Sequence, residues 1–268
     1  MDITTLINGR PAVQLAVADR ATQYGDGLFT TVRVKNGCLQ HWSLHLARLK
    51  QGLLRLNIDF SKWRQLQDCA FSLAKEQSEG VLKVLISRGE GGRGYLPAEQ
   101  GTPNWILTLH PLPGQYQDWR EKGIALQKSQ ISLAKQPLLA GLKHLNRLEQ
   151  VMIKQEIAAQ GWQDALVCDT DKMLVETSVA NLFWQTGNQW YTPSLRYAGV
   201  KGVMRKCLLD ALSRQGVSVI RVRMRAEVLF DASLVCITNS LMGVVPVRSI
   251  LDHQYDVQHA NVVLKDLL

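Results

Sequence analysis

Few residues in this chain have the type and spacing to do chemistry alone. Six histidines are spread out, and only His41 and His45 share helical spacing, so a metal site is not expected. Five cysteines (Cys38, Cys69, Cys168, Cys207 and Cys236) are widely spaced, odd in number and without a C-x-x-C pair. Reduced thiols fit that pattern better than a disulfide framework or a zinc site. No G-x-S-x-G elbow, Walker loop, H-E-x-x-H or complete G-x-G-x-x-G pattern is present. One feature suits an anion: Gly202-Val203-Met204 would open a helix, whose first backbone amides lack partners and bind negative charge. The glycine-rich run Gly89-Glu90-Gly91-Gly92-Arg93-Gly94 reads as a flexible loop.

The balance of the chain agrees. Of 268 residues, 31 are Lys or Arg and 23 Asp or Glu, a net charge of +8. The basic residues are scattered, with no long run and no aromatic–basic repeat, so an anionic small molecule accounts for them as well as nucleic acid does. Hydrophobic residues make up 46% and charged residues 20%, which is globular composition. No apolar run approaches the roughly 18–20 residues of a membrane span. The start, Met1-Asp2-Ile3-Thr4-Thr5, lacks the pattern of a signal peptide, so a cytoplasmic location is expected.

The elements that must position these residues mix helix and strand. Leu28–Val34 reads as a strand ending in the hairpin turn Asn36-Gly37. Ser43 is expected to cap a helix bearing Leu44, Leu46, Leu49, Leu53, Leu54 and Leu56, and Ser61 a second with Trp63, Leu66, Ala70 and Leu73 on one face. Val81–Ser87 and Trp105–His110 read as strands, and Pro111-Leu112-Pro113-Gly114 as a boundary between domains 1–112 and 113–268. A helix is expected over Leu142–Ala159, then hairpins around Asp169–Lys172 and Thr186-Gly187-Asn188, then a helix after Gly202. Trp162, Trp184 and Trp190 read as packing residues. Hairpins argue against a doubly wound parallel sheet and for a two-domain mixed α/β (α+β) fold with much antiparallel sheet in its second half.

Four segments in order resemble the fold-type IV, branched-chain aminotransferase-like enzymes that use pyridoxal 5'-phosphate. They are Asp19-Arg20-Ala21-Thr22-Gln23-Tyr24-Gly25-Asp26-Gly27-Leu28-Phe29, Ala140-Gly141-Leu142-Lys143-His144-Leu145-Asn146-Arg147-Leu148-Glu149, Val175-Glu176-Thr177-Ser178-Val179-Ala180-Asn181-Leu182-Phe183 and Gly199-Val200-Lys201-Gly202-Val203-Met204-Arg205. The resemblance implies Lys143 as the Schiff-base lysine, in the larger, C-terminal domain; burial would favour the neutral amine it needs. It implies Glu176 as the partner of the pyridine nitrogen, where a carboxylate keeps the ring an electron acceptor. Strand alternation with Leu174 turns Glu176 toward the core, where an unpaired carboxylate would be costly. Gly202, Val203, Met204, Arg48 and Ser240 are implied as phosphate contacts. His144 and Arg205 are read as structural.

Within the family, the runs Phe29-Thr30-Thr31, Lys143-His144-Leu145-Asn146-Arg147 and Asn239-Ser240-Leu241-Met242 resemble the lyases that convert 4-amino-4-deoxychorismate to 4-aminobenzoate and pyruvate, a step towards folate. That resemblance implies Thr31 as an aid to proton transfer beside Lys143, and Arg93 as a contact for a substrate carboxylate. Phe29 stands where related D-amino-acid aminotransferases have tyrosine, and a phenyl ring cannot hydrogen-bond the cofactor's phenolic oxygen. Asn146 is the candidate partner for that oxygen. A homodimer acting on a small molecule, with no nucleic acid and no membrane, is implied. The alternative is a transaminase of the same fold acting on branched-chain or D-amino acids, which would use the same Lys143 and Glu176.

Overall fold

Burial alternates along Gly27–Lys35: Leu28, Thr30, Val32 and Val34 are buried, while Phe29, Thr31 and Arg33 are partly open. That period of two makes a strand with one covered face. The computed structural model describes residues 4–99, 101–265 and 267, and they form two units. One comprises the chain up to Pro113 together with Lys143–Asn146; the other comprises Gly114–Leu142 and the chain from Arg147 on.

The first unit contains β1 (Thr4–Ile7), β2 (Arg10–Pro11), α1 (Arg20–Tyr24), β3 (Gly27–Lys35), β4 (Cys38–Leu39), α2 (Trp42–Arg55), α3 (Trp63–Lys75), β5 (Glu79–Ser87) and β6 (Trp105–His110). Its sheet runs β2-β1-β6-β5-β3-β4, and every pairing is antiparallel. Asn36 and Gly37 both have positive φ (48° and 76°), as the tight turn after β3 requires. Val32, Val84 and Leu107 from the sheet, and Leu49 and Leu66 from α2 and α3, are all essentially buried. Both helices start differently from expectation. Residue His41 precedes α2 in a left-handed conformation (φ 53°), and Lys62 precedes α3; neither gives a side-chain cap. Ser43 lies inside α2, and the Ser61 carbonyl accepts from Trp63 N (2.9 Å), so neither serine is a cap.

The second unit contains α4 (Tyr116–Lys122), β7 (Ile124–Lys128), α5 (Leu148–Ala159), β8 (Asp164–Cys168), β9 (Leu174–Thr177), β10 (Asn181–Thr186), β11 (Gln189–Pro193), α6 (Val203–Arg214), β12 (Val219–Val222), a 3₁₀ turn (Ala226–Asp231), β13 (Leu234–Asn239), β14 (Gly243–Ile250), β15 (His253–Gln254) and α7 (Val257–Lys265). Its sheet runs β12-β11-β10-β13-β14-β7-β8-β9, with β15 beside β14. The expected hairpins β8/β9 and β10/β11 form. Three other pairings, β11/β12, β14/β7 and β7/β8, are parallel, so the sheet is mixed. Alternation along β10 sends Leu182 and Trp184 into one core and Phe183 into another, which also receives Trp190. Trp162 packs against a third, so all three tryptophans pack as expected.

The helix expected over Leu142–Ala159 begins only at Leu148. Before it the backbone bonds outward. Phe29 N donates to Lys143 O (3.0 Å) and Leu145 N to Gly27 O (3.1 Å), so this stretch lies antiparallel to the start of β3. Those bonds replace the helical ones, and they assign Lys143 to the first unit rather than to the second.

The segment that precedes β3 rests on two carboxylates, Asp19, which is buried, and Asp26, which is half-buried. Asp19 caps α1 through Ala21 N (2.7 Å) and also accepts from Ser87 Oγ (2.8 Å) and Asn104 Nδ2 (2.7 Å). Asp26 accepts two bonds from Arg88 (2.7 and 3.1 Å) and one from Arg20 (3.0 Å). Burial works against the charged form of Asp26, but these arginines outweigh it and hold its pKa below the usual carboxylate value. A depressed folded-state value stabilises the protein above the unfolded value, about 3.9, and that contribution disappears as pH falls through the folded value. Asp26→Asn is expected to lower stability at pH 7 by roughly 2 kcal/mol. The gap to the parent protein should narrow on acidification below about pH 4, as read by urea unfolding followed through tryptophan fluorescence.

Candidate active site

In the first unit, β3 presents two faces. Phe29 and Thr31 lie on one. Lys143 comes to it because its backbone is bonded to β3, and its Nζ stands 4.5 Å from the centre of the Phe29 ring. The Nζ of Lys83, whose residue pairs with Thr31 across β5, stands 5.4 Å from the same ring. A ring face attracts ammonium groups without spending a carboxylate on them. The other face carries Thr30, which is fully buried beneath α2. There Thr30 Oγ1 lies 2.6 Å from His45 Nδ1 and accepts a hydrogen bond from Arg48 Nη2. Burial, then the charges of Arg48, His41 and Lys143, hold His45 well below its usual pKa, so its ring is neutral. Burial also pulls Arg48 down to about 10. Arg48 Nε is buried with no hydrogen-bond partner, and among the described residues no carboxylate is within ion-pair distance of Arg48. A half-buried guanidinium with unspent donors and no counter-ion suits an anionic ligand.

In the second unit, Glu176 is buried on β9. Its Oε2 accepts from Val200 N (2.9 Å) and from Asn181 Nδ2 (3.3 Å). Asn181 Nδ2 also donates to Val200 O (2.8 Å), and Asn181 Oδ1 accepts from Gly202 N (3.0 Å). One amide side chain therefore ties the carboxylate to the residue before α6. Two glycines make this possible. A Cβ on Gly202 would collide with Asn181 Oδ1. Gly199 has φ +84°, and a Cβ there would stand 2.6 Å from Val175 Cγ1. Gly202 caps α6 without a side-chain bond, so the first-turn amides at Val203 and Met204 keep the anion-binding character of an uncapped N-terminus. Asn181 pairs with Thr238 across β13, which brings Ser240, in the turn after β13, to the same end of the sheet. Arg147 donates to Leu142 O (2.9 Å) and feels the charge of Glu176. Gly141 N donates to Gly199 O (2.8 Å), and Lys201 N to Gly141 O (3.1 Å).

The donor sets of the two units fit the parts of pyridoxal phosphate. The first offers a primary amine over an aromatic ring and a guanidinium with spare donors. The second offers a buried carboxylate, held by two N–H groups, beside an uncapped helix start. A family model described as amino-transferase class IV matches residues 27–250. The chain belongs to that family. An aminodeoxychorismate lyase from Vibrio harveyi is 40% identical over 244 residues, covering 91% of this chain and 90% of that one. The crystal structure of a 4-amino-4-deoxychorismate lyase from Pseudomonas aeruginosa is 36% identical, with TM-score 0.91 over 98% of this chain and 99% of that chain. A hypothetical aminotransferase from Mycobacterium tuberculosis in its PLP-bound form shares the fold, with TM-score 0.84 at 20% identity over 99% of this chain and 97% of that chain.

Within the first unit the structure brings Lys143, Phe29 and Thr31 to one face of β3, and Arg48 to Thr30. Asn146 is exposed and spends Nδ2 on Gly25 O (3.1 Å). Arg93 is exposed in its loop, and Arg20 anchors the following residues through Gly94 O (3.1 Å) and Tyr95 O (2.8 Å). Within the second unit, Glu176 and Gly202 meet through Asn181. Arg205 is buried and donates to Pro193 O (3.1 Å), in keeping with a structural role. Sequence reasoning missed Asn181, Thr30 and His45. The signals were present: His45 lies three residues before Arg48 on a helix, and Thr30 sits at an inward position of its strand. Asn181→Ala should leave Gly202 N and Val200 O without their side-chain partner and free Glu176. An unfolding midpoint lowered by roughly 2 kcal/mol, together with at least tenfold weaker binding of pyridoxal phosphate to the apoprotein, is expected from calorimetry and spectrophotometric titration.

Proposed function

We infer that this chain is a pyridoxal-phosphate-dependent lyase that converts 4-amino-4-deoxychorismate to 4-aminobenzoate and pyruvate, a step towards folate. The observation that carries the reading is the 40% identity with a named lyase across nine-tenths of both chains. Phe29 agrees with it, because a phenyl ring offers no hydrogen bond to the cofactor's phenolic oxygen. When bound, the cofactor supplies an electron sink for the pair left behind by deprotonation.

The chain's own residues supply the rest. Lys143 Nζ would hold the cofactor, and its amine takes the proton from the amine-bearing ring carbon of the substrate. The bond from the ring carbon to the enolpyruvyl oxygen breaks, the ring becomes aromatic, and Lys143, aided by the Thr31 hydroxyl, returns a proton to the methylene carbon to give pyruvate. Glu176 keeps the pyridine nitrogen protonated, held in position by Asn181. Arg48, the amides at Val203 and Met204, and Ser240 receive the phosphate, and Gly202, whose own amide is held by Asn181, lets it approach closely. Arg93 takes a substrate carboxylate and Asn146 serves the phenolic oxygen. The enzyme works as a homodimer. Leu148, Val151 and Met152, at i, i+3 and i+4 on α5, are exposed apolar residues that a second copy would cover. Five free cysteines suit the reducing cytoplasm.

Three measurements test the reading. Enzymatically generated 4-amino-4-deoxychorismate should give equal 4-aminobenzoate and pyruvate with no 2-oxo acid present; turnover of amino acids only with such an acceptor would assign the transaminase branch. Lys143→Ala should abolish turnover and remove the reducible imine absorbance. Glu176→Gln should retain cofactor yet slow proton abstraction by at least tenfold, and an unchanged rate would remove Glu176 from its role.

A further inference from the structure

The buried contact among Thr30, His45 and Arg48 has a direction. A guanidinium can only donate, so Arg48 Nη2 gives its hydrogen to Thr30 Oγ1. The Thr30 hydroxyl then has one hydrogen left, and among the described residues its only other side-chain partner is His45 Nδ1 at 2.6 Å. A neutral imidazole accepts there through its lone pair, which puts the ring hydrogen on Nε2. Nothing in this series carries negative charge. A carboxylate at position 30 would have fixed Arg48 equally well, but would also have neutralised it. The hydroxyl fixes the arginine through an uncharged acceptor, and the imidazole in turn fixes the hydroxyl. The full positive charge of Arg48 and its unpartnered Nε remain for a ligand.

We propose that Thr30 and His45 are positioning residues for Arg48, a one-way series of hydrogen bonds that fixes its guanidinium while leaving its charge unspent for a phosphate monoester dianion. The proposal rests on the reading of Arg48 as a phosphate contact.

Binding to the apoprotein tests it without reference to turnover. Pyridoxal phosphate and pyridoxal, which lacks the phosphate, are titrated into each variant, and the apoprotein unfolding midpoint is measured alongside. Thr30→Val, which keeps the shape and loses the hydroxyl, should weaken pyridoxal phosphate ten- to a hundredfold and leave pyridoxal within about threefold. Thr30→Ser should restore phosphate binding to within about threefold of the parent. His45→Phe, which removes the final acceptor, should show the same selective loss in smaller measure. Thr30→Val should add nothing in an Arg48→Ala background. Equal weakening of both ligands by Thr30→Val, or no weakening of either, would overturn the series. The Arg48→Ala control separates the two readings: if it does not favour pyridoxal over pyridoxal phosphate relative to the parent, Arg48 is no phosphate contact and the underlying assignment falls first.

Discussion

A carboxylate in a protein interior must be given hydrogen bonds, and Glu176 accepts one from the Asn181 side chain and one from a backbone amide that can supply it only in one conformation. Val200 must point its N–H inward, Gly199 must take a left-handed turn against Val175, and Gly202 must approach Asn181 without a Cβ. Asn181 completes the arrangement by donating to the carboxylate and accepting from the residue that opens α6. The acid and the helix start are therefore one mechanical unit. A shift of either moves the other.

The first unit presents positive charge and holds it differently on the two faces of one strand. Lys143 stands over the Phe29 ring, and Arg48 bonds to an uncharged hydroxyl. Where a carboxylate is present, as at Asp26, two arginines crowd it and nothing is left over for a ligand. The same residue types thus stabilise the fold when paired and stay open to an anion when unpaired. Arg20 and Arg88 hold Asp26, whereas among the described residues no carboxylate lies within ion-pair distance of Arg48.

Much of this was legible in the residues. β-Branched and aromatic runs gave β3, β5 and β6 within a residue or two, paired turn signals gave both hairpins, and Gly202 marked the start of α6. The errors share a cause. Ser43 and Ser61 have capping chemistry, but α2 and α3 begin earlier or later because packing of Trp42 and Leu66 sets their registers. Residues 142–147 have a helical pattern, yet their backbone groups bond to β3 and to one another's neighbours over long sequence separations that periodicity cannot register. Asn181 looked like an ordinary strand residue, because its importance lies in what Val200 and Gly202, about twenty positions away, bring to it.

The departure from helix at Lys143 also has a functional logic. On a helix, the lysine would hang from a surface turn with four rotatable bonds and little to define its direction. In the segment bonded edge to edge with β3, the Lys143 carbonyl accepts from Phe29 N and Leu145 N donates to Gly27 O, and the lysine side chain reaches the face of Phe29 and Thr31. A lysine on a short strand-like segment has a fixed base and a mobile tip. The preceding Gly141 is itself bonded to Gly199 and Lys201.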